Sequence, residues 1–258
     1  MPDKTTQIVA GNNGTIEDFP FIAEIQQRAK HQKAWRHWCG AVIISETMLI
    51  TSAACLRGPN VKDDNGVQFD NNIGVIELHT PLKFGPRCQS ISYTTIKGSD
   101  GFKNCQISGW GYIDANKTET DTLQFADISV LSNAKCNDLV DPIIPKSQIC
   151  TFDFDNKKQP CNGDAGGPLT CEINGSRFLV GVFAWLFNDC DAKNPSFYSH
   201  TTQIVAGNDA AIEDFPFIAV VQGRAKRHDP WKHYCSAVII SETMLVTSAA
   251  CIRGPYVI

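Results

Sequence analysis

Eleven cysteines are the residues of this chain with the most chemistry to offer, and their spacing decides which kind. A zinc site draws its thiolates from close CxxC-type pairs, and no such pair occurs. Scattered singly along the chain, these cysteines suit a disulfide framework in an oxidising compartment. Three Asn-x-Ser/Thr triplets, at Asn13, Asn116 and Asn174, are acceptor sequences for N-linked sugar and fall in stretches that read as loops. The glycine-rich stretch PCNGDAGGPL, residues 160–169, sets Asp164 beside Ala165, a position that carries a methyl and no reactive group.

The composition excludes several classes. A net charge of −4, with 19% charged residues, gives no electrostatic case for nucleic acid or an anionic membrane. No apolar run approaches the roughly 20 residues of a transmembrane helix. The opening MPDKTTQIVAG lacks the apolar stretch of a secretion leader, so the cysteines and the N-terminus disagree. The expectation is a fragment of a longer product or an incomplete gene model.

The elements that must position these residues are mostly strands. GAVII, then the polar turn SET, then MLITSAA reads as strand, turn, strand. NNIGVIEL, NCQISGWG, LQFADISVLS and RFLVGVFAWL are further short apolar or alternating runs separated by Gly, Asn, Asp and Pro. One short helix is expected, with Ser132 capping NAKCNDLV. This is an all-β pattern, an antiparallel sandwich or barrel. A long repeat overlies it. TTQIVAGNNGTIEDFPFIAEIQ at residue 5 returns as TTQIVAGNDAAIEDFPFIAVVQ at residue 201, and the match runs without a gap to Ile258. About 41 of the 58 paired residues are identical, so residues 201–258 read as a partial tandem copy of the opening strands.

Six segments in order resemble the trypsin/chymotrypsin-like serine proteases: IVAG at 8–11, HWCGAVI at 37–43, TSAAC at 51–55, DNNIGVIEL at 70–78, CQISGWG at 105–111 and GDAGGPL at 163–169. The resemblance covers residues 8–198 and implies two antiparallel Greek-key β-barrels, residues 8–100 and 101–198. It implies the disulfides Cys39–Cys55, Cys105–Cys171, Cys136–Cys150 and Cys161–Cys190, with Cys235–Cys251 in the repeat. Cys88 is left over, either a buried apolar residue or half of an intermolecular bridge.

Carried onto this sequence, the family's catalytic histidine falls on Ala54, its aspartate on Asn72 and its serine on Ala165. The oxyanion donors would be the backbone amides of Gly163 and Ala165. Acyl transfer needs a nucleophile, a base and a group to orient the base, and none of the three side chains remains. Thr51, Ser52 and His79 are nearby polar residues but read as ordinary strand or loop residues. Ala250 repeats the loss in the second copy. Ile8 and Asp164 take the places of the activation pair, yet Ile8 follows Gln7 and Ile204 follows Gln203, which an activator specific for Arg or Lys would not cut. An unpaired buried carboxylate is costly, so a zymogen-like His37–Asp164 contact with a disordered oxyanion loop is expected, against a merely structural His37. Gln159, Pro160, Ala184, Trp185 and Leu186 take the walls of the specificity slot, and Leu186 should narrow it.

Sixteen residues separate Cys55 from Asn72, too few for all the family's strands in the first barrel or its calcium-binding loop. The second barrel is therefore expected to be the sounder half, and residues 201–258 to be loosely attached or paired onto an open edge. No cofactor or metal is expected. The functional expectation is a catalytically inactive homologue that acts extracellularly by binding proteases, their inhibitors or their targets. The alternatives are an endopeptidase with relocated catalytic groups and a truncated product without function.

Overall fold

The computed structural model describes residues 8–28, 34–57, 72–98, 101–114, 116–140, 144–155, 157–187, 190–205, 218–223, 232–241 and 244–246. The strands fall where apolar and polar residues alternate or run together. β1 (Asn12–Asn13) is followed by an antiparallel four-stranded sheet built in chain order from β2 (Ile22–Gln27), β3 (Arg36–Ile43), β4 (Met48–Thr51) and β5 (Gly74–Glu77). Ser45 makes the SET turn between β3 and β4, its Oγ accepting from the amides of Thr47 (3.3 Å) and Met48 (3.0 Å).

The second sheet has eight strands in the order β1-β7-β6-β10-β11-β12-β9-β8. These are β6 (Lys103–Gly109), β7 (Gln124–Asp127), β8 (Ser129–Leu131), β9 (Gln148–Phe152), β10 (Pro168–Ile173), β11 (Ser176–Leu186) and β12 (Ser196–His200). The N-terminal β1 thus pairs with β7 rather than with the sheet that follows it. Nearly all-β and two-sheeted, this is the architecture the resemblance implies. LQFADISVLS is two strands rather than one run, because the chain leaves the ladder at Ile128.

One core lies within the larger sheet, around Ile8, Ile107, Ile149, Leu169 and Tyr198. A second joins the two sheets through Phe19, Phe21, Ile22, Val42, Ile50, Leu179 and Val182. The four-stranded sheet has its own smaller cluster of Ala41, Ile43 and Leu49, against which the free Cys88 packs half-buried. Cys39–Cys55, Cys105–Cys171, Cys136–Cys150 and Cys161–Cys190 are bonded. Each closes a loop of the kind worth about 2–4 kcal/mol.

Three findings correct the sequence reading. MLITSAA is not a continuous strand: β4 stops at Thr51 and Ala53–Arg57 forms a helical turn, α1. The helix capped by Ser132 (α2, Asn133–Asn137) ends before Asp138, although the cap forms, with the Lys135 amide donating to Ser132 Oγ at 3.3 Å. A third short helix, α3 (Thr202–Val205), occupies the start of the repeat. Among the described residues no helix is long and apolar enough to cross a membrane.

The chain divides into two compact units, Met1–Ala206 and Gly207–Ile258. Residues 201–206 therefore belong to the first unit. Thr201 is buried there, donating from Oγ1 to the carbonyls of Thr94 (3.0 Å) and Val180 (3.2 Å). In the second unit β13 (Ile218–Gly223), β14 (Lys232–Ser241) and β15 (Met244–Val246) form a three-stranded sheet. Its pairing Ile218↔Val238, with an irregularity after Val221, repeats Ile22↔Val42 with an irregularity after Ile25. Ala250 and the expected Cys235–Cys251 bridge lie outside the described side chains.

Candidate functional site

Three elements carry the positions implied for acyl transfer. Ala54 is on α1, Asn72 just before β5, and Ala165 in the turn that leads into β10. Asn72 ties the first two together. Its Oδ1 accepts from the Ala54 amide at 2.9 Å and from Ser52 Oγ at 2.8 Å. Its Nδ2 donates to the Ala184 carbonyl at 3.3 Å, and its own carbonyl accepts from Ser199 Oγ at 2.9 Å. Ala165 joins them through β3, because the Gly40 amide donates to its carbonyl at 2.8 Å. Only a glycine fits at 40: an added Cβ would lie 2.9 Å from the Gly167 backbone.

The hydroxyls beside these positions are committed to structure. Ser52 and Thr51 are buried, and each spends its proton on a buried acceptor, Thr51 on the Gly40 carbonyl at 2.7 Å. His79 is exposed beyond the end of β5. None of these three is arranged as a nucleophile hydrogen-bonded to a base.

The anchors of the turn 161–167 differ from the contact expected. Asp164 is 2% exposed, and both its carboxylate oxygens are taken by backbone donors, Gly111 N on Oδ1 at 2.8 Å and Cys161 N on Oδ2 at 2.9 Å. His37 therefore makes no hydrogen bond to Asp164. Its Nε2 reaches the Gly163 carbonyl at 2.8 Å and its Nδ1 reaches Glu24 Oε1 at 2.9 Å. Through these two contacts the ring bridges Glu24 on β2 and the turn at Gly163. In place of the zymogen-like contact, His37 holds the neighbouring carbonyl. Burial, as the leading cause, raises Asp164 to about 6, against the two amides and the nearby His37 charge.

Gly163 holds φ at 101°, which a side chain would strain. The Gly163 and Ala165 amides donate to no other described residue. Two unspent N–H groups in one turn are where an approaching carbonyl oxygen would bind. Ile8 is buried in the core of the larger sheet, and no hydrogen bond joins it to Asp164 among the described residues.

The slot beside this turn is largely filled. Trp185 stacks on Phe197 with ring centres 4.0 Å apart and meets Phe187 edge-on. Leu186 packs against the core of the larger sheet, and Pro160 and Ala184 are buried. Gln159, 1% exposed, donates from Nε2 to the Asn194 carbonyl at 3.3 Å, and its Oε1 has no partner among the described residues. Tyr198 OH is also buried, with the Thr151 side chain as its neighbouring polar group. Burial and the nearby Asp164 charge hold this phenol well above its ordinary range.

On the other side of Gly163 lies a cavity of about 410 Å³, walled by Trp35, Trp38, Trp110 and Tyr112 and edged by Glu24, Glu119 and Asp121. Sequence reasoning missed it, along with Ser199, Tyr198 and the Glu24 partner of His37. Only Glu24 was within reach of local reasoning: pairing β2 with β3 sets Gln26 opposite His37, two residues from Glu24 along the same strand.

Comparisons with known proteins agree on one family. The family model for trypsin matches residues 8–206 and again 204–258. A fibrinolytic enzyme (isozyme C) of Lumbricus rubellus is 27% identical over 235 residues, covering 76% of this chain and 96% of its own. Trypsin-1 of Astacus astacus is 25% identical over 230 residues, covering 76% and 95%. Transmembrane protease serine 9 of Rattus norvegicus is 25% identical over 236 residues, of which this chain spans only 22% of the rat protein. Among solved structures, mouse neuropsin, a serine protease, superposes with a TM-score of 0.64 at 20% identity, covering 80% of this chain and 98% of its own.

Proposed function

This chain belongs to the trypsin family, and from that premise we propose that it is a non-catalytic member that binds proteins in the family's cleft without cutting them. One observation carries the reading: the positions that the resemblance matches to the family's histidine, serine and aspartate hold methyl groups, at Ala54 and Ala165, and a carboxamide, at Asn72. In the family mechanism, losing the carboxylate alone costs about 10⁴ in turnover, and without serine and histidine only binding and oxyanion effects of about 10³–10⁴ over water remain. Committing Ser52, Thr51 and Ser199 to buried carbonyl and carboxamide oxygens removes the obvious substitutes.

What the cleft retains supports binding. The Gly163 and Ala165 amides are fixed by Asp164 and His37 at one end, and the aromatic cavity lies at the other. A peptide strand whose carbonyl enters this turn is held but meets no nucleophile. The disulfide framework suits an extracellular setting, where proteases, their inhibitors and their targets are the partners to expect. The relatives' names speak for a second reading, an endopeptidase with relocated catalytic groups.

Turnover separates the two. Homogeneous protein is expected to leave a broad ester substrate and a denatured protein intact while retaining a protein protease inhibitor on a binding surface. Hydrolysis that disappears on a substitution inside this chain's own cleft would refute the proposal. The triple variant Ala54→His, Asn72→Asp, Ala165→Ser then tests whether the scaffold remains competent. Revival is the expected result, since the turn and the two amides are in place.

A further inference from the structure

The three sugar-acceptor triplets play no part in the cleft, and one of them lies beside an unexplained cavity. Asn174 and Gly175 form the two-residue turn between β10 and β11, closed by the pair Ile173↔Ser176. Their φ values of 52° and 80° are both left-handed, as a tight primed turn requires, and Asn-Gly is the sequence that tolerates it. Asn174, Gly175 and Ser176 are exposed, and neither polar side chain makes a hydrogen bond to another described residue. An atom added at Gly175 would meet nothing within 4 Å.

Asn174 and Ser176 also line a cleft of about 300 Å³ whose floor and walls include Tyr93, Ile96, Ile173 and Phe178. Ile96 is 44% exposed, among the most exposed large apolar residues described. Among the described residues no charged side chain lines this cleft. A small concave surface of aromatic and aliphatic groups, rimmed by hydroxyls and a carboxamide, suits a pyranose ring: C–H faces meet aromatic rings while hydroxyls keep polar partners. The other two triplets are built into the fold differently. Asn13 Oδ1 accepts from Gln124 Nε2 at 3.2 Å and Thr15 Oγ1 donates to Asp18 at 2.7 Å. Thr118 Oγ1 donates to Asp114 at 2.8 Å.

We propose that Asn174 carries an N-linked glycan whose first N-acetylglucosamine seats in the Tyr93–Ile96–Phe178 cleft. Modification forms a bond from Asn174 Nδ2 to the anomeric carbon of an oligosaccharide carried on a lipid diphosphate. The anomeric C–O bond breaks, the diphosphate leaves with its electron pair, and one amide proton passes to a base of the transferring enzyme. The reaction needs passage through a secretory compartment, which the disulfide framework also needs. It does not depend on whether the cleft is catalytic.

The intact chain, directed into a eukaryotic secretory route by an added leader, supplies the test. Peptide mass spectrometry on secreted and retained protein alike should find Asn174 modified, and both Asn174→Gln and Ser176→Ala should remove that glycan. An unmodified Asn174 overturns the proposal. Seating is read separately, from release by peptide-N-glycosidase under native conditions. Release should speed up about fivefold when Phe178→Ala and Ile96→Ser are combined. A nuclear Overhauser contact between the N-acetyl methyl and the Phe178 ring reads the same seat without substitution. Release unchanged by the double variant, together with no such contact, overturns the seating.

Discussion

Replacing Asp164 by Asn is the sharpest test of how the turn beneath the cleft is held. The carboxyl is buried, and its proton affinity is raised from the ordinary 3.8 to about 6 because desolvation outweighs the Gly111 and Cys161 amides and the His37 charge. A folded protein that binds a proton more tightly than its unfolded chain is favoured at low pH. That contribution is complete below 3.8 and is lost as pH rises through about 6. At about 1.36 kcal/mol for each tenfold change in proton affinity, the loss is about 3 kcal/mol. Asparagine has the shape of the protonated acid and cannot ionise, so the variant lacks this loss. The assay is urea unfolding at stepped pH between 4 and 7, followed by the fluorescence of Trp35, Trp38, Trp110 and Trp185. The stability of the parent minus that of Asp164→Asn should fall by about 2.5 kcal/mol across the range, the rest of the loss lying below pH 4 where the unfolded carboxyl still titrates. Titrating groups that do not face Asp164 are common to both proteins and cancel. A flat difference, or a parent that gains on the variant with rising pH, would refute the reasoning, because it would mean that the two amides and His37 outweigh burial.

Further outcomes follow from neighbouring contacts. Asn72→Asp alone should destabilise the fold by about 1–3 kcal/mol at pH 7, because the Nδ2 donor to the Ala184 carbonyl becomes an oxygen facing an oxygen; acidification should return part of this in denaturant melts. His37→Ala frees the Gly163 carbonyl and should raise the Asp164 carboxyl further, which carbon NMR of labelled aspartate reads directly. Gly40→Ala drives a methyl into the Gly167 backbone and should cost about 1–3 kcal/mol while loosening the turn, seen as weaker inhibitor binding. Removing Cys136–Cys150, which spans 14 residues, should cost about 3 kcal/mol and lower Tm by roughly 6–12 °C.

The sequence carried the chemistry of the site position by position, since whether a nucleophile exists at 165 or a base at 54 is a matter of residue identity. Strand periodicity and the cysteine positions likewise pointed to an all-β disulfide fold. Local pattern failed where partners are distant. Nothing near His37 announces that it would hold the carbonyl of Gly163, and nothing near Asp164 announces Gly111 as its donor. The repeat makes the same point. TTQIVAG occurs twice, yet its first copy leads through a turn at residues 8–10 into β1, while the second begins with a one-turn helix at Thr202–Val205.

Residue types alone thus determined which side chains stand at positions 54, 72 and 165, together with the strand-rich character and the duplication of the opening segment. Tertiary structure alone decided which hydroxyls are spent, which carboxylate is stranded in the core, and which side of Gly163 stays open. A lone pair or proton is committed by whatever packing brings within about 3 Å, and the residues brought that close here, such as Asn72 and Ser199, stand far apart along the chain.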